Sequence, residues 1–361
     1  MAETHRLPRH PLPAPQRVVS SVRARLARPQ IAPEDADRVL RRFGVVDAGR
    51  PRNLPLAWRN EIAIVDSSLG RTVLKRYRPN TERDAIVHEH SILDRLAETD
   101  VPATRPIRTP GGDSVVECHG RLHALYHFEP GRHFVSRLVS HRTRRALEWH
   151  AGALLGRFHR ALADFTPAGE HHLGFAPGGA RRHDASWCEG AVSALAETPA
   201  THDREAEADE AWLRSRASSI VDGVARLAPV VEQANLHTSV IHGDYGTHNL
   251  LFRADGTGLV HDLELARVDW PVLDVAMALL RLRPELRSVF LEAYRTTTAI
   301  PDADLELLDV VTRYHLLTGA VRVWEAFGRT GNADRLAKAR SRVEQEAALS
   351  GIAPLTEGTR S

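Results

Sequence analysis

The chain has 361 residues, 42% hydrophobic and 26% charged, with a formal net charge of +2 at pH 7, so two domains or one bilobal domain can form a sizeable core. The near-neutral charge gives no reason to expect nucleic acid or a membrane as a partner, and two cysteines do not make a disulfide framework. Neither eighteen consecutive apolar residues nor a hydrophobic signal core occurs, so we expect a cytoplasmic protein without a membrane span or secretory signal.

The first 31 residues are rich in proline and arginine and contain few aromatic side chains. Such a composition buries too little apolar surface to fold by itself, so we expect a mobile tail. Residues 32–43 then place proline and acidic residues ahead of Val39, Leu40 and Phe43. This pattern is typical of a short amphipathic helix.

A β-hairpin is predicted next, because residues 61–65 and 71–75 flank a loop that ends in Gly70. The second strand carries Lys75, one of only two lysines among 48 basic residues. In a chain that otherwise uses arginine, a lysine inside a strand needs a reason. A compact ammonium that contacts phosphate as a point charge is one such reason.

A helix is predicted over residues 81–97, where Ile86, Leu93 and Leu96 fall on one apolar stripe. Glu89 lies on the same stripe, three residues after Ile86. A glutamate on an apolar face is costly unless it is paired, although it can also lie at the edge of the stripe in solvent.

Further elements follow in order. Residues 115–118 and 122–128 predict two strands, and Glu129-Pro-Gly131 interrupts the pattern before a long helix at 146–162. The glycine-, proline- and histidine-rich segment 164–186 predicts a surface loop.

The C-terminal part is predicted to be helical. Residues 201–210 are acidic and indicate the solvated start of a helix. A buried helix begins near Trp270, and residues 286–348 predict about three more helices.

The most informative stretch begins at residue 240, where two apolar runs flank a polar loop with His242, Asp244 and Asn249, and a turn leads to a run ending in Asp262. The pattern predicts a β-hairpin with a carboxylate and an amide on its inlet loop. Phosphoryl transfer needs one carboxylate to orient a hydroxyl, and an amide with a second carboxylate to hold Mg²⁺ on ATP. The spacing His242-Gly-Asp244 to Asn249 matches the kinase catalytic loop, with glycine in place of arginine.

Together with the hydrophobic-Asp262-hydrophobic-Glu264 pattern that follows, this stretch resembles the aminoglycoside phosphotransferase and choline kinase family. The resemblance covers roughly residues 35–330, and its specific motifs are concentrated in 240–276. It implies an α+β, bilobal, protein-kinase-like fold with a small antiparallel N-lobe sheet, one N-lobe helix and a mostly helical C-lobe.

The resemblance also implies a division of the chain into three parts. Residues 1–31 are expected to be the mobile tail, 32–130 a nucleotide-binding N-lobe, and 131–361 a catalytic and substrate-binding C-lobe.

Roles can be transferred to the residues that match the family's motifs. Asp244 is expected to be the catalytic base or hydroxyl-orienting residue, and Asn249 and Asp262 to ligate Mg²⁺. Lys75 and Glu89 are expected to form the ion pair that positions the ATP phosphates.

The remaining expectations concern adenine and the support of the loop. Leu251 is expected to lie under the adenine, and main-chain groups near His127 and Glu129 to meet it at the hinge between lobes. His242 and Asp274 are expected to brace the catalytic loop, Asp274 by capping rather than by touching substrate.

The implied activity is an ATP- and Mg²⁺-dependent transfer of phosphate to a hydroxyl of a small molecule, such as an aminoglycoside or other antibiotic, an amino alcohol, homoserine or a sugar. In relatives that bind polyamine substrates, acidic residues of this lobe line the acceptor pocket, and the acidic stretch 201–210 is a candidate for that role as well as for a solvated helix start. One departure is that residues 53–60 contain no glycine, so a main-chain cover over the phosphates is not expected there. The side chains of Arg59 or Asn60 are alternative covers.

Two other functions remain open from the sequence. A metal-dependent phosphohydrolase is one, because imidazole and carboxylate suit transition metals and the stretch contains His242, Asp244, His248, His261 and Asp262. That interpretation leaves the amide at 249 and the lysine at 75 unexplained. A non-catalytic kinase-like binding protein is the other, favoured by the glycine-free loop and opposed by the complete catalytic set.

Overall fold

The structure is a computed structural model that describes residues 30–54, 60–133, 139–198, 204–298 and 300–351 (for 204 and 205, the main chain only). The predicted tail and Arg59 lie outside these ranges, apart from the last residues of the tail. The chain divides into two compact units, Met1–Ile86 with Thr104–Glu129, and Val87–Ala103 with Pro130–Ser361.

The first unit contains an antiparallel sheet and a helix. Its strands are β1 (Arg52–Asn53), β2 (Glu61–Ser67), β3 (Gly70–Arg76), β4 (Pro106–Ile107), β5 (Val116–Cys118) and β6 (Arg121–His127), preceded by helix α1 (Pro33–Arg42). The strand order is β1-β2-β3-β6-β4, and β5 also pairs with β6. Val39, Leu40 and Phe43 from the helix region join Val65 and Leu74 of the sheet in one buried core. The helix therefore covers one face of the sheet with the apolar residues that its sequence period places together.

The hairpin β2–β3 is longer than its sequence predicts. The strands pair from Glu61↔Arg76 to Ser67↔Gly70, so the turn is only two residues long. Gly70 has φ +83°, a conformation that glycine adopts without steric cost. This glycine lets the chain reverse direction at once, and the ladder extends by two pairs, Asp66↔Arg71 and Ser67↔Gly70, into the predicted loop.

Helix α2 (Arg83–Ala97) begins at the end of the first unit and continues in the second. The second unit is mostly helical. Its helices are α3 (His141–Ala161), α4 (Ala185–Glu197), α5 (Arg204–Ser215), α6 (Ala217–Gln233), α7 (Pro271–Arg281), α8 (Pro284–Arg295), α9 (Asp302–Glu306), α10 (Leu308–Thr330) and α11 (Asp334–Ser350). None of the helices in the described ranges combines the length and apolar character that crossing a bilayer requires.

Two small antiparallel sheets accompany these helices. Their strands are β7 (Arg132–His133), β8 (Ser239–Ile241), β9 (Leu250–Phe252), β10 (Gly258–Val260) and β11 (Arg267–Asp269), joined in the orders β10-β9-β7 and β11-β8. Antiparallel sheets with segregated helices confirm the predicted α+β class.

Helix α3 starts five residues earlier than predicted and packs closely on α8. Its start is set by Ser140, whose hydroxyl accepts a hydrogen bond from the amide of Thr143 at 3.1 Å. Close approach to α8 depends on Gly152 and Gly156, because a Cβ at the first would overlap the carbonyl oxygen of Phe290 and one at the second would overlap Thr297.

The contact between these helices gives a stability prediction. Gly152→Ala should destabilise the protein by about 1–3 kcal/mol, because the added methyl group forces the helices apart. The matched control is Gly190→Ala in α4, where an added Cβ has no atom within 4 Å. That change should raise the free energy of unfolding by about 0.4–1 kcal/mol, because alanine leaves the unfolded chain with less conformational freedom than glycine does. Urea unfolding measures both, and equal effects of the two changes would contradict the packing argument.

Candidate active site

The site is built on two strand pairs of the second unit. Strand β9 pairs with β10 as the predicted hairpin, with Leu251 opposite Leu259. The first apolar run, in β8, instead pairs with β11, with Val240 opposite Val268. Residues 242–249, here called the catalytic loop, connect β8 to β9 and end in a 3₁₀ turn at Thr247–Asn249.

A buried carboxylate holds the beginning of this loop. Asp274 on α7 accepts hydrogen bonds from the main-chain amides of His242 at 2.7 Å and Gly243 at 2.9 Å. Burial alone would raise the pKa of Asp274, but the hydrogen bond and charge of His159 together with the His242 amide keep it below its usual range. The carboxylate is therefore ionised at pH 7, and the predicted bracing role of Asp274 is confirmed.

Two further side chains complete the support beneath Asp274. The ring of His159 on α3 lies with Nε2 3.2 Å from the Asp274 carboxylate and Nδ1 2.9 Å from the hydroxyl of Tyr294 on α8. His159 is buried, with a side chain 1% exposed. Three helices thus meet through one hydrogen-bonded chain under the catalytic loop.

His242 connects the catalytic loop to the segment after β10. Its Nε2 lies 3.2 Å from the carbonyl oxygen of His261 and must donate, while Nδ1 lies 3.4 Å from the amide of Asp244 and accepts. Burial lowers the pKa of His242, so the ring is neutral in this tautomer. His242 therefore braces the loop, as predicted.

The carboxylate of Asp244 lies between an arginine and a histidine. Arg281 Nη2 lies 2.6 Å from its Oδ1 and His248 Nε2 lies 3.7 Å from its Oδ2. Burial alone would raise the pKa of Asp244, but the contact with His248 and the charge of Arg281 hold it well below its usual range. Arg281 also donates to the carbonyl oxygen of Tyr245 at 2.9 Å, which fixes the guanidinium at the loop.

The amide of Asn249 is oriented by Asp244. Its Nδ2 donates to the main-chain oxygen of Asp244 at 3.0 Å and approaches the carboxylate Oδ2 at 3.3 Å. With the nitrogen committed to these acceptors, Oδ1 is the atom that remains to act as a ligand.

Asp262 follows β10 in an unusual conformation. Its φ is +61°, in the left-handed region that aspartate adopts more readily than most residues but at a cost. The preceding residue, His261, donates its amide to the carbonyl oxygen of Asn249 at 3.3 Å. This bond brings the segments of the two predicted metal ligands side by side.

The predicted nucleotide residues are distributed over both units. Lys75 is buried in β3, opposite Ile62 and Ala124, and its Nζ lies 4.6 Å from the centre of the Tyr77 ring. Glu89 is buried on α2, in the part that belongs to the second unit. The ion pair between Lys75 and Glu89 stays a prediction.

At the end of the first unit, His127 occupies the last position of β6, and its amide donates to the carbonyl oxygen of Arg105 at 3.0 Å. Glu129 is the last residue of that unit. Leu251 belongs to the second unit, where a Cβ on Gly131 would come within 2.9 Å of its own Cβ. Asn60 is buried, and its Oδ1 accepts a hydrogen bond from the amide of Arg78 at 3.2 Å.

The ligand set of the phosphohydrolase alternative does not form a cluster. Within the described ranges, one group brings three histidine, cysteine or acidic ligand atoms within 4.8 Å of one another, namely Asp35, Cys118 and His119 of the first unit. None of the five residues of the phosphohydrolase set belongs to it.

Two segments differ from their predicted exposure. The histidine-rich segment predicted as a surface loop buries His171, which lies 3.1 Å from the carbonyl oxygen of Glu264. In the described part of the acidic stretch 201–210, Glu210 is buried and pairs with Arg214 at 2.7 Å, and Asp209 pairs with Arg340 at 3.3 Å. These two carboxylates are engaged by arginines and not presented to a polyamine.

Comparisons with known proteins bear on the family and the fold of the chain. A family model, the APH phosphotransferase enzyme family, matches residues 52–308. None of the curated proteins compared with the chain matches it.

Three similar solved structures illustrate the fold. An amicoumacin kinase in complex with AMP-PNP, Ca²⁺ and Ami is 18% identical, with a TM-score of 0.59 over 91% of this chain and 96% of that chain. A microcompartment-associated aminopropanol kinase is 17% identical, with a TM-score of 0.59 over 89% and 99%. A spectinomycin phosphotransferase in complex with ADP and spectinomycin is 12% identical, with a TM-score of 0.58 over 89% and 94%.

At these identities the structural likeness shows the fold, and it confirms the expected protein-kinase-like architecture. The family model covers well over half of the chain and includes the catalytic loop, the Asp262 segment and Asp274. The predicted enzyme class, a small-molecule kinase, is confirmed by that match. The chain therefore belongs to the APH phosphotransferase enzyme family.

Proposed function

We propose that the enzyme transfers the γ-phosphoryl group of ATP, with Mg²⁺, to a hydroxyl group of a small molecule. The observation that carries this proposal is the arrangement of Asp244 and Asn249, in which the asparagine amide is held on the aspartate at the spacing that phosphoryl transfer requires. A binding protein has no need of this pair, of the strained Asp262 and of a buried brace beneath them.

Asp244 acts mainly by aligning the acceptor hydroxyl. Its carboxylate is ionised well below neutral pH, because Arg281 and His248 stabilise the charge. Such a group is a weak proton acceptor in the ground state. In a loose transition state little proton abstraction is needed before the phosphoryl group has moved, so orientation of the hydroxyl is the larger contribution.

The donor chemistry fits a magnesium ion. Asn249 Oδ1 and the carboxylate of Asp262 are hard oxygen ligands, and Asn249 Nδ2 is turned away by its bonds to Asp244. Asn249 and Asp262 would hold Mg²⁺, which would neutralise the charge that develops during transfer.

The transfer balances without a further reactant. The acceptor oxygen forms a bond to the γ-phosphorus as the bond from that phosphorus to the β–γ bridging oxygen breaks. ADP leaves with the electron pair of the broken bond, and the hydroxyl proton passes by way of Asp244 to solvent.

We assign the nucleotide contacts to the residues that match the family's positions. Lys75 and Glu89 hold the phosphates, Leu251 lies under the adenine, and main-chain groups near His127 and Glu129 meet its edge. AMP-PNP and ADP in two of the similar structures, and Ca²⁺ in one, support nucleotide and divalent-cation binding here. The acceptors named for the similar structures, antibiotics and an amino alcohol, support a small hydroxylated acceptor.

Residues 32–130 then form the nucleotide-binding part and residues 131–361 the catalytic and acceptor-binding part, in a protein that works in the cytoplasm without nucleic acid or membrane. The balanced charge and paucity of cysteines support this setting.

The activity itself is tested by incubating the full chain with ATP and Mg²⁺ against a panel of hydroxylated amines, acids, sugars and antibiotics. ADP release should depend on one class of acceptor and should stop when EDTA removes the metal, since Asn249 and Asp262 need a cation to act on ATP. Turnover that is equal with and without EDTA would contradict the proposal, and stoichiometric zinc or iron in the purified protein would favour a phosphohydrolase.

Asp244 and Asp262 should have separable roles. Asp244→Asn should lower kcat by about 10²–10⁴, the range for a positioned acid–base group, with little change in Mg-ATP affinity. Asp262→Asn should instead weaken productive Mg-ATP binding, because it removes a charged metal ligand. Calorimetry with Mg-ATP and steady-state kinetics distinguish the two, and wild-type turnover in Asp244→Asn would show that the loop is not catalytic.

Lys75 can be compared with the chain's other lysine. Lys75→Arg should reduce turnover strongly while the fold is retained, because the planar guanidinium cannot replace a compact ammonium at this buried position. Lys338→Arg on the exposed side of α11 is the matched control and should leave turnover unchanged. Steady-state kinetics measure the turnover of both variants, and circular dichroism checks that they fold. Full activity of Lys75→Arg would show that turnover does not require a lysine at this position.

A further inference from the structure

A polar cavity lies in the second unit, and Asp244 is not among its lining residues. The space inside it that is open to the centre of a water molecule is about 20 Å³. Its charged and titratable lining consists of Arg181, His183, Arg267, Asp269, His315 and Arg322. We call this cavity the arginine pocket. Among the described lining residues, three guanidinium groups face one carboxylate.

The single carboxylate is already engaged. Asp269 is buried and accepts from Arg267 Nε at 3.0 Å, from Arg181 Nη2 at 3.3 Å and from the amide of Trp270 at 3.0 Å. It neutralises about one of the arginines, so the pocket keeps an excess of positive charge.

Arg181 is held rigidly with donors to spare. Its guanidinium carbon lies 3.8 Å from the centre of the Trp270 ring and 5.3 Å from that of Tyr314, a stacked arrangement that keeps the planar group in place. Within the described part of the chain, its buried Nε and Nη1 have no hydrogen-bond acceptor. A buried donor without an acceptor is costly and points to a missing ligand.

Arg322 on α10 and Arg342 on α11 are partly buried cations. Burial, followed by repulsion from neighbouring arginines, lowers the pKa of Arg322 to about 9 and that of Arg342 to about 10. The Nη1 of Arg342 is a further buried donor without an acceptor among the described residues, and it packs on Gly319 of the pocket wall.

The two histidines of the lining do not add charge at neutral pH. Burial, with repulsion from nearby arginines, lowers the pKa of His183 to about 4 and that of His315 well below its usual value. They are neutral hydrogen-bonding groups beside a cationic cluster, a combination suited to an anion.

The pocket adjoins the catalytic loop through two arginines. Arg267 Nη1 donates to the carbonyl oxygen of Leu265 at 2.9 Å and lies against Gly243, where a Cβ would overlap it. Arg342 lies close enough to Arg281 and Asp244 for their charges to shift its pKa. The wall of the pocket thus reaches the residues that flank the catalytic carboxylate.

We propose that the arginine pocket binds the anionic group, a carboxylate or a phosphate, of a hydroxylated acceptor whose hydroxyl is phosphorylated at Asp244. This inference rests on the proposed function and specifies its substrate class. Guanidinium groups bind carboxylate and phosphate through paired hydrogen bonds, and the unused donors of Arg181 and Arg342, next to the charge of Arg322, supply them. A polycationic acceptor such as an aminoglycoside is repelled by the same charges.

The binding of an anion is tested by thermal unfolding of the full chain in inorganic phosphate against chloride at equal ionic strength. Phosphate should raise the Tm of the wild type, and Arg322→Met should abolish that rise. In chloride, Arg322→Met should unfold at the same or a higher temperature than the wild type, since it removes a desolvated charge that neighbouring arginines repel. If Arg322 only stabilised the fold, Arg322→Met would lower the Tm in chloride.

Two matched variants complete this test. Arg329→Gln changes an exposed arginine of the same helix, paired with Glu325, and should keep the full phosphate effect. Lys75→Met is the control for phosphate that binds at the nucleotide position. It should reduce only the part of the Tm increase that comes from that position. A phosphate effect that is unchanged in Arg322→Met, or absent from the wild type, would overturn the proposal.

The acceptor class is tested with matched compounds, namely glycerate and glycerol 3-phosphate against 1-amino-2-propanol and glycerol. An anionic member should have at least a tenfold higher kcat/KM, and Arg322→Met should raise its KM at least tenfold without changing the KM for ATP. If both the wild type and Arg322→Met phosphorylated 1-amino-2-propanol with a higher kcat/KM than the anionic compounds, the inference would be overturned, while the proposed kinase activity would stand. Anion binding without phosphorylation of any hydroxyl compound would instead remove the proposed function.

Discussion

The carboxylate of Asp274 accepts the amides of His242 and Gly243, and the catalytic loop takes its shape from these two bonds. An ionised carboxylate in the interior is stable only when hydrogen bonds replace the water it has lost. Here the two amides and the imidazole of His159 do so. Because His159 comes from α3 and continues to Tyr294 on α8, helix packing far from solvent determines where the loop lies.

The chemistry above this brace is dominated by charge. Asp244 is flanked by Arg281 and His248, and Arg342 lies within electrostatic reach. This environment keeps the carboxylate ionised and oriented instead of making it a strong base. Such a design agrees with phosphoryl transfer, in which positioning and electrostatic stabilisation contribute more than proton abstraction.

The features that could be predicted from the sequence are those formed by residues close together in the chain. Asp244 and Asn249 are five residues apart in one loop, and the two apolar runs on either side of Gly70 belong to one hairpin. Each pattern is therefore visible in a short stretch of sequence. Arg281 reaches Asp244 from 37 residues away. Arg322 and Arg342 meet the pocket from two further helices, and no local pattern distinguishes them among many arginines.

The same limit applies to strand pairing and burial. The apolar run Val240-Ile241 predicts a strand but not its partner, which is β11 rather than the neighbouring run. His171 occurs in a segment whose glycines and prolines indicate a surface loop, yet its ring is buried against the Glu264 carbonyl. Tertiary contacts decide both outcomes, and a single sequence does not contain them.

Gly243 has a consequence for how this enzyme can diverge. It has φ +79°, and a Cβ there would overlap both the Leu265 carbonyl oxygen and the Arg267 guanidinium. The catalytic loop and the arginine pocket therefore share one packed surface, so we expect the effects of substitutions at 243 and 267 to depend on each other. If the pocket holds the acceptor as proposed, selection for a new acceptor has an easier route through Arg181 or Arg322, since neither is the residue that packs on Gly243.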